Sequence, residues 1–292
     1  MCKKVAYYSL SLLIIYGFII IGNLMIFIVI QLDMGLDTPM YFFISVLSFL
    51  EIWYSTTTIP KILSSLVNDQ KTISLAGCLM QMYFFHSLGI TEGCVLTVMA
   101  IDRYIAICHP LRYPTIMTSK LCTQLTAGSC FCGFLLVLPE IVWIATLPFC
   151  GSNEIRKIFC DFTPVLSFAC RYFPGGHCRC HTCGGDFGLL LGHCLVLHSD
   201  HHGDSEGRCK AFFTCAAHLA VFLLFVGSVA VIYLRFSTTY SVFLDTVIAI
   251  TFVILAPFLN PIIYSLRNKD MKDAIGRLFC YQKRAGGFGN SI

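Results

Sequence analysis

Charge is what this chain has least of. Asp, Glu, Lys and Arg make up 12% of its 292 residues, about half the share found in soluble domains. That scarcity excludes an ordinary water-soluble globule, whose surface needs more charge than this. With 57% hydrophobic residues the chain falls in the membrane class. The net charge is only +4, too mild to imply nucleic acid as a partner. No small-residue cleavage site follows Lys3 and Lys4, and the apolar run continues through Ile30. No cleavable signal peptide is therefore expected, and the run reads as a spanning helix. The first residues also lack an N-x-Ser/Thr glycan acceptor. Cysteine is not lacking, but the 17 are spread along the whole length, which excludes a compact disulfide scaffold. No nucleophile, base and orienting group stand together, so enzyme chemistry has no support and no cofactor or metal is expected.

What is present is a series of apolar stretches, each long enough to cross a bilayer at about 20 residues. They cover about 7–31, 40–67, 79–108, 121–147, 211–234 and 242–266. A basic amphipathic stretch at about 268–281 follows. Met271, Ala274, Ile275, Leu278 and Phe279 recur there at helical spacing, with Lys269, Lys272 and Arg277 on the other face. It predicts a helix lying on the membrane surface. Basic residues concentrate in the segment from Arg103 to Lys120 and in the tail from Arg267 to Arg284, so both are expected in the cytoplasm. Three of the six clear spans separate them, an odd number, which would put them on opposite sides. A further crossing is needed, and the unassigned length is 171–204.

That segment is a poor helix for lipid. Residues 174–204 hold six of the nine histidines and four of the 17 cysteines, with many glycines. Such polar groups facing hydrocarbon cost about several kcal/mol each. Shifted by one base, the codons of His177, His181, His193, His198, Asp200 and His201 encode only Ile or Thr, and His202 only Met or Thr. Cys178, Cys180, Cys183 and Cys194 become Val or Ala. The shifted frame thus reads like the missing span, and a frame slip between about Arg171 and Arg208 is expected. A zinc site is the competing reading, from His177, Cys178, Cys180, His181 and Cys183. Its C-x-C-x-x-C spacing packs the ligands too tightly for one simple knuckle. An unused insert is the third, and it leaves the missing crossing unexplained.

The stretch Met99–Tyr113, MAIDRYIAICHPLRY, resembles the odorant receptors, a branch of the rhodopsin-like G-protein-coupled receptors. The same likeness runs through Gly22-Asn23, Thr38–Phe43 (TPMYFF), Lys210–Leu219 (KAFFTCAAHL) and Asn260–Met271 (NPIIYSLRNKDM), in order. It implies an all-α, seven-transmembrane bundle over 1–292, its fifth span compromised at 171–204. The implied function is a receptor for small, mostly apolar volatile molecules that activates a heterotrimeric G-protein from the plasma membrane. The alternative is a receptor relic that does not signal and is retained in the endoplasmic reticulum, because the fifth helix is lost.

The resemblance also assigns residues. Asp102, Arg103 and Tyr104 close the third span and are implied in G-protein coupling. An intramembrane charge pair is usually functional, although an Arg there also suits a residue snorkelling to the headgroups. Asn260, Pro261 and Tyr264 in the seventh span, with Lys210 and His218 at the sixth, join that activation set by resemblance. Glu51, where the family more often has Asp, needs Asn23, Asn260 or water as a partner. The resemblance pairs Cys78 with Cys160 and Cys150 with Cys170. It places the ligand among Phe85, His86, Gly89 and Ile90 of the third span and Val226 and Ala230 of the sixth. Ordinary interhelix packing is the competing role for each of these six.

Overall fold

The computed structural model describes residues 2–67, 72–150, 160–166, 169, 254–255, 257–263 and 269–286. The spans expected at 171–204 and 211–234, and most of the one at 242–266, lie outside the described residues. So do Cys170, Lys210, His218, Val226, Ala230 and Tyr264.

The architecture is all-α. Four described helices are long and apolar enough to cross a membrane. They are α1 (Cys2–Leu32), α2 (Pro39–Val67), α3 (Leu75–Cys108) and, after the short α4 (Tyr113–Ile116), α5 (Ser119–Ala145). A short α6 (Phe162–Leu166) follows in the outer loop, residues 254–255 and 257–263 are helical, and α7 (Lys269–Gly286) ends the described chain. Among the described residues the sole β pairing is a bridge between Phe149 and Ala169.

Side-chain caps set where the helices begin. The Ser74 hydroxyl accepts from the Gly77 amide (3.1 Å) and the Thr118 hydroxyl from the Leu121 amide (3.3 Å), satisfying donors that have no partner inside the helix. Asp33 does the same for Gly35 at the turn Met34–Leu36 that joins α1 to α2. Within α2, Pro60 removes a backbone donor, and Gln81 of α3 donates to the nearby Thr57 carbonyl (2.9 Å).

The buried faces mix apolar residues with polar and small ones, while the exposed faces are apolar. On α1, Ile19, Asn23, Ile26 and Ile30 are buried at helical spacing, while Leu10, Ile14 and Ile21 point out. On α5 the buried face includes Ser129, Gly133 and Val137, and Phe131, Leu135 and Leu136 face outward. In water such a surface would aggregate; in acyl chains it is solvated. Helices in lipid gain little from burying Leu, so close approach at small residues holds them together. Gly133 is the clearest case, with Thr91 and the Ser87 carbonyl of α3 directly over its Cα. Gly22 likewise faces Pro261, and α1 meets the 257–263 helix there.

The C-terminal α7 lies against the end of α1 and the start of α2. Met271 and Ala274 are buried in the main core, with Ile275 and Leu278 packed on it. Arg277 bonds Asp33 through Nε (2.9 Å) and Nη2 (2.6 Å), and the Tyr41 hydroxyl donates to Asp270 (3.3 Å). The Arg277 guanidinium holds the Asp33 carboxyl below its ordinary range, so the pair persists until pH falls through that lowered value. Being exposed and screened, it contributes roughly 0–1 kcal/mol at most. The buried Met271 and Ala274 therefore do more to dock the helix.

Candidate functional site

Three polar clusters are strung along α3, one at each end and one in the middle. The inner one is built by Asp102, Arg103 and Tyr113. Asp102 is fully buried and Arg103 partly buried near the C-terminal end of α3. Arg103 bonds the Asp102 carboxylate through Nε (2.8 Å) and also through Nη2. The chain then turns back through α4, which has Pro114 at its start. This brings the Tyr113 hydroxyl to the other Asp102 oxygen (2.7 Å) and within 3.4 Å of Arg103 Nη2. Burial first, and then the bond to Asp102, push the Tyr113 hydroxyl above its ordinary range, so it stays protonated and donating at neutral pH. Tyr104 lies apart, edge-on to His109 at the helix end.

This arrangement holds an arginine in place by a carboxylate that is itself held. Removing the Tyr113 hydroxyl frees one of those restraints. A hydrogen bond to a charged group is worth roughly 1.5–3 kcal/mol. Tyr113→Phe is expected to cost about that much stability, seen as a lower melting temperature in detergent.

The middle cluster joins α2, α3 and the 257–263 helix. Glu51 and Glu92 are both buried and lie close enough to act on each other electrostatically. The Asn260 amide donates to Glu51. Asn23 does not reach Glu51; its amide donates to the Ile19 carbonyl (3.0 Å) and to the Pro257 carbonyl (3.1 Å), tying α1 to the same helix. One oxygen each of Glu51, Glu92, Asn23 and Asn260 has no hydrogen-bond partner among the described residues. The result is an oxygen-rich centre inside the bundle, whose geometry depends on how four helices sit. Asn260→Ala removes the donor from a buried carboxyl and is expected to cost about 1–3 kcal/mol, seen as a lower melting temperature in detergent.

The outer cluster is organised by the disulfide Cys78–Cys160, with Cα atoms 5.5 Å apart. It pins the outer loop to the start of α3. Gln81 accepts from the Cys160 amide (3.2 Å). Asp161 places its carboxylate 3.2 Å from His86 Nε2 and caps the Phe162 amide (2.8 Å). The Phe162 ring packs on His86 at 4.2 Å. Cys150 is also in a disulfide, with a partner outside the described residues.

Of the expected ligand residues, His86 is therefore engaged by the loop. Phe85 stacks on Tyr54 of α2 at 4.9 Å, and Gly89 faces the same ring. Ile90 packs on the outer cluster with Val137 and Ile144 of α5. These four residues point to three different neighbours. Reasoning from sequence missed Glu92, Tyr113 and Asp161. Glu92 was visible as an acid inside an apolar run, and Tyr113 closes the quoted Met99–Tyr113 stretch. Asp161 adjoins the cysteine. Their partners depend on helix rotation and loop return, which no local pattern states.

Comparison with known proteins supplies the lineage. The family model described as olfactory receptor matches residues 12–282. Olfactory receptor 6K6 of Homo sapiens is 68% identical over 290 residues, covering 96% of this chain and 83% of that protein. Olfactory receptor 6K3 of Homo sapiens is 56% identical over 284 residues, 94% of this chain and 85% of that protein. Olfactory receptor 6N1 of Homo sapiens is 46% identical over 284 residues, covering 93% and 89%.

Proposed function

The chain belongs to the olfactory receptor family of G-protein-coupled receptors, and from that membership we propose that it binds small, mostly apolar volatile molecules at the plasma membrane and activates a heterotrimeric G-protein. The observation that carries this reading is α3 itself. One rigid helix bears the loop-tethered His86 near its outer end and the Asp102–Arg103–Tyr113 cluster at its inner end. A ligand that favours one setting of α3 shifts the population in which Arg103 is released. The family is one of signalling receptors, so no catalysis is assigned.

In this reading Phe85, His86, Gly89 and Ile90, with Val226 and Ala230, contribute to ligand binding through the outer bundle. Arg103, Tyr104, Lys210, His218, Asn260, Pro261 and Tyr264 serve the change that reaches the G-protein. Glu51, Glu92, Asn23 and Asn260 form the hinge between them. The test is a cyclic-nucleotide reporter in cells bearing the surface-labelled receptor, exposed to a panel of volatile odorants. At least one should evoke a response that Arg103→Ala abolishes without changing surface labelling. A response insensitive to Arg103→Ala would sink the assignment.

A second reading, a receptor relic that no longer signals, is favoured by one observation, the histidine- and glycine-rich composition of 174–204. Replacing that segment with its shifted-frame apolar sequence should increase surface labelling if this reading holds. Equal labelling of the two chains would remove it.

A further inference from the structure

The outer loop offers α3 three cysteines, Cys150, Cys160 and Cys170. Cys78 is joined to the middle one, a choice that spacing in the chain does not dictate. The outer face of α3 carries the contacts that distinguish it. Gln81 lies one turn from Cys78 on the same face and is buried. Its Nε2 donates to the Thr57 carbonyl of α2 (2.9 Å), which fixes the amide and leaves Oε1 as its acceptor. That oxygen accepts from the Cys160 backbone amide (3.2 Å). Further along α3, His86 meets the next two residues of the loop. The Asp161 carboxylate is 3.2 Å from its Nε2, and the Phe162 ring packs on the imidazole at 4.2 Å. Met82, between Gln81 and His86, is buried in one cluster with Phe162 and Val165. The rival cysteines stand in a different sequence. Cys150 is followed by Gly151 and Ser152, and Cys170 by Arg171 and Tyr172. Glycine brings no side chain to His86, and arginine brings a cation where a carboxylate belongs. Of the three, Cys160 alone is followed by an acid and then an aromatic ring.

We propose that Gln81 and His86 form a template on α3 that seats Cys160 with Asp161 and Phe162 before the disulfide closes, and so steers Cys78 away from Cys150 and Cys170. Both are positioning residues. Gln81 reads the backbone and sets the register of the loop. His86 reads the two side chains that follow the cysteine. Seating raises the effective concentration of the Cys160 sulfur at Cys78 above that of either rival. The bond then forms by exchange with a small-molecule or protein disulfide of the oxidising compartment. The S–S bond of that oxidant breaks and the Cys78–Cys160 bond forms. The two receptor thiols are oxidised, and their protons pass to the two thiols released.

The experiment uses the full-length receptor in membranes from expressing cells. Free thiols are alkylated, and linked peptides are mapped by mass spectrometry without reduction. The whole membrane fraction is analysed, so chains held inside the cell are counted. The native chain should show Cys78 joined to Cys160. Gln81→Met keeps the volume without the amide's donor and strong acceptor. Combined with His86→Leu, it should raise the share of Cys78 joined to Cys150 or Cys170 several-fold. Gln81→Glu keeps the oxygen that accepts from Cys160 and loses the donor to Thr57, so it should melt lower yet pair closer to the native pattern than Gln81→Met. Asn260→Ala destabilises the bundle without touching the loop, and it should keep the native pairing. The proposal is overturned if the double variant pairs as the native chain does. It is also overturned if Gln81→Glu mispairs as much as Gln81→Met, or if Asn260→Ala mispairs as much as the double variant, since general instability would then explain the change. None of these outcomes depends on odorant response.

Discussion

Gly133→Val is expected to leave almost no folded receptor. A Cβ at this position would lie 2.2 Å from the Thr91 hydroxyl and 2.5 Å from the Ser87 carbonyl. The carbonyl belongs to the backbone of α3, so it cannot swing aside as a long side chain does. Either the helices separate or the interface is lost. Overpacking costs typically about 1–3 kcal/mol where side chains can adjust, and here the rigid helix pushes the cost beyond that range. Gly133→Ala should already lower the melting temperature sharply, and Val should remove the monodisperse peak in detergent chromatography. Gly128→Ala on the same helix is the control, because nothing lies within 4 Å of its added Cβ. Equal loss from both would mean that helix flexibility, rather than contact, explains the glycine.

Cys78→Ser should be nearly as damaging. The bond it removes closes a sequence separation of 82 residues. On the chain-entropy estimate a loop of that size is worth roughly 4–5 kcal/mol. The loss also unseats Asp161 from His86 and Phe162 from its ring, so the outer end of α3 loses its cover. Thermal unfolding of Cys78→Ser, Cys160→Ser and the double variant checks this. The double should melt close to either single, since all three lose the same bond. An additive loss would show that the two cysteines act separately.

Helical spans were legible in the sequence because hydrocarbon allows few alternatives. An apolar run in lipid must satisfy its own backbone, and helices do so. The helix ends were less legible. Apolar content suggested a start near 79 for the third span, but α3 begins at Leu75, where the Ser74 hydroxyl caps the first turn. α1 likewise takes in Lys3 and Lys4, which hydropathy discounts. At the site, Asp102 and Arg103 announce themselves as charges in an apolar helix. The Tyr113 partnership does not, because it requires α4 to fold back under α3. Glu51 was expected to find Asn23, Asn260 or water, and of the two asparagines Asn260 reaches it. The choice follows from the rotation of α1, which turns Asn23 toward Pro257. His86 looked like a ligand anchor on its helix alone. The loop that engages it returns more than 70 residues later in the chain and is placed there by Cys160.

The receptor account needs the ligand outside, the G-protein inside, and both basic segments on the cytoplasmic face. That condition requires an even number of crossings between the loop at 109–118 and the tail beyond Lys269. The most direct test places one epitope in that loop and another at the C-terminus of the full chain, and stains cells before and after permeabilisation. The account predicts that both epitopes appear only after permeabilisation. A C-terminal epitope stained on intact cells, with the loop epitope still hidden, would contradict it, because the segment at 171–204 would then supply no crossing.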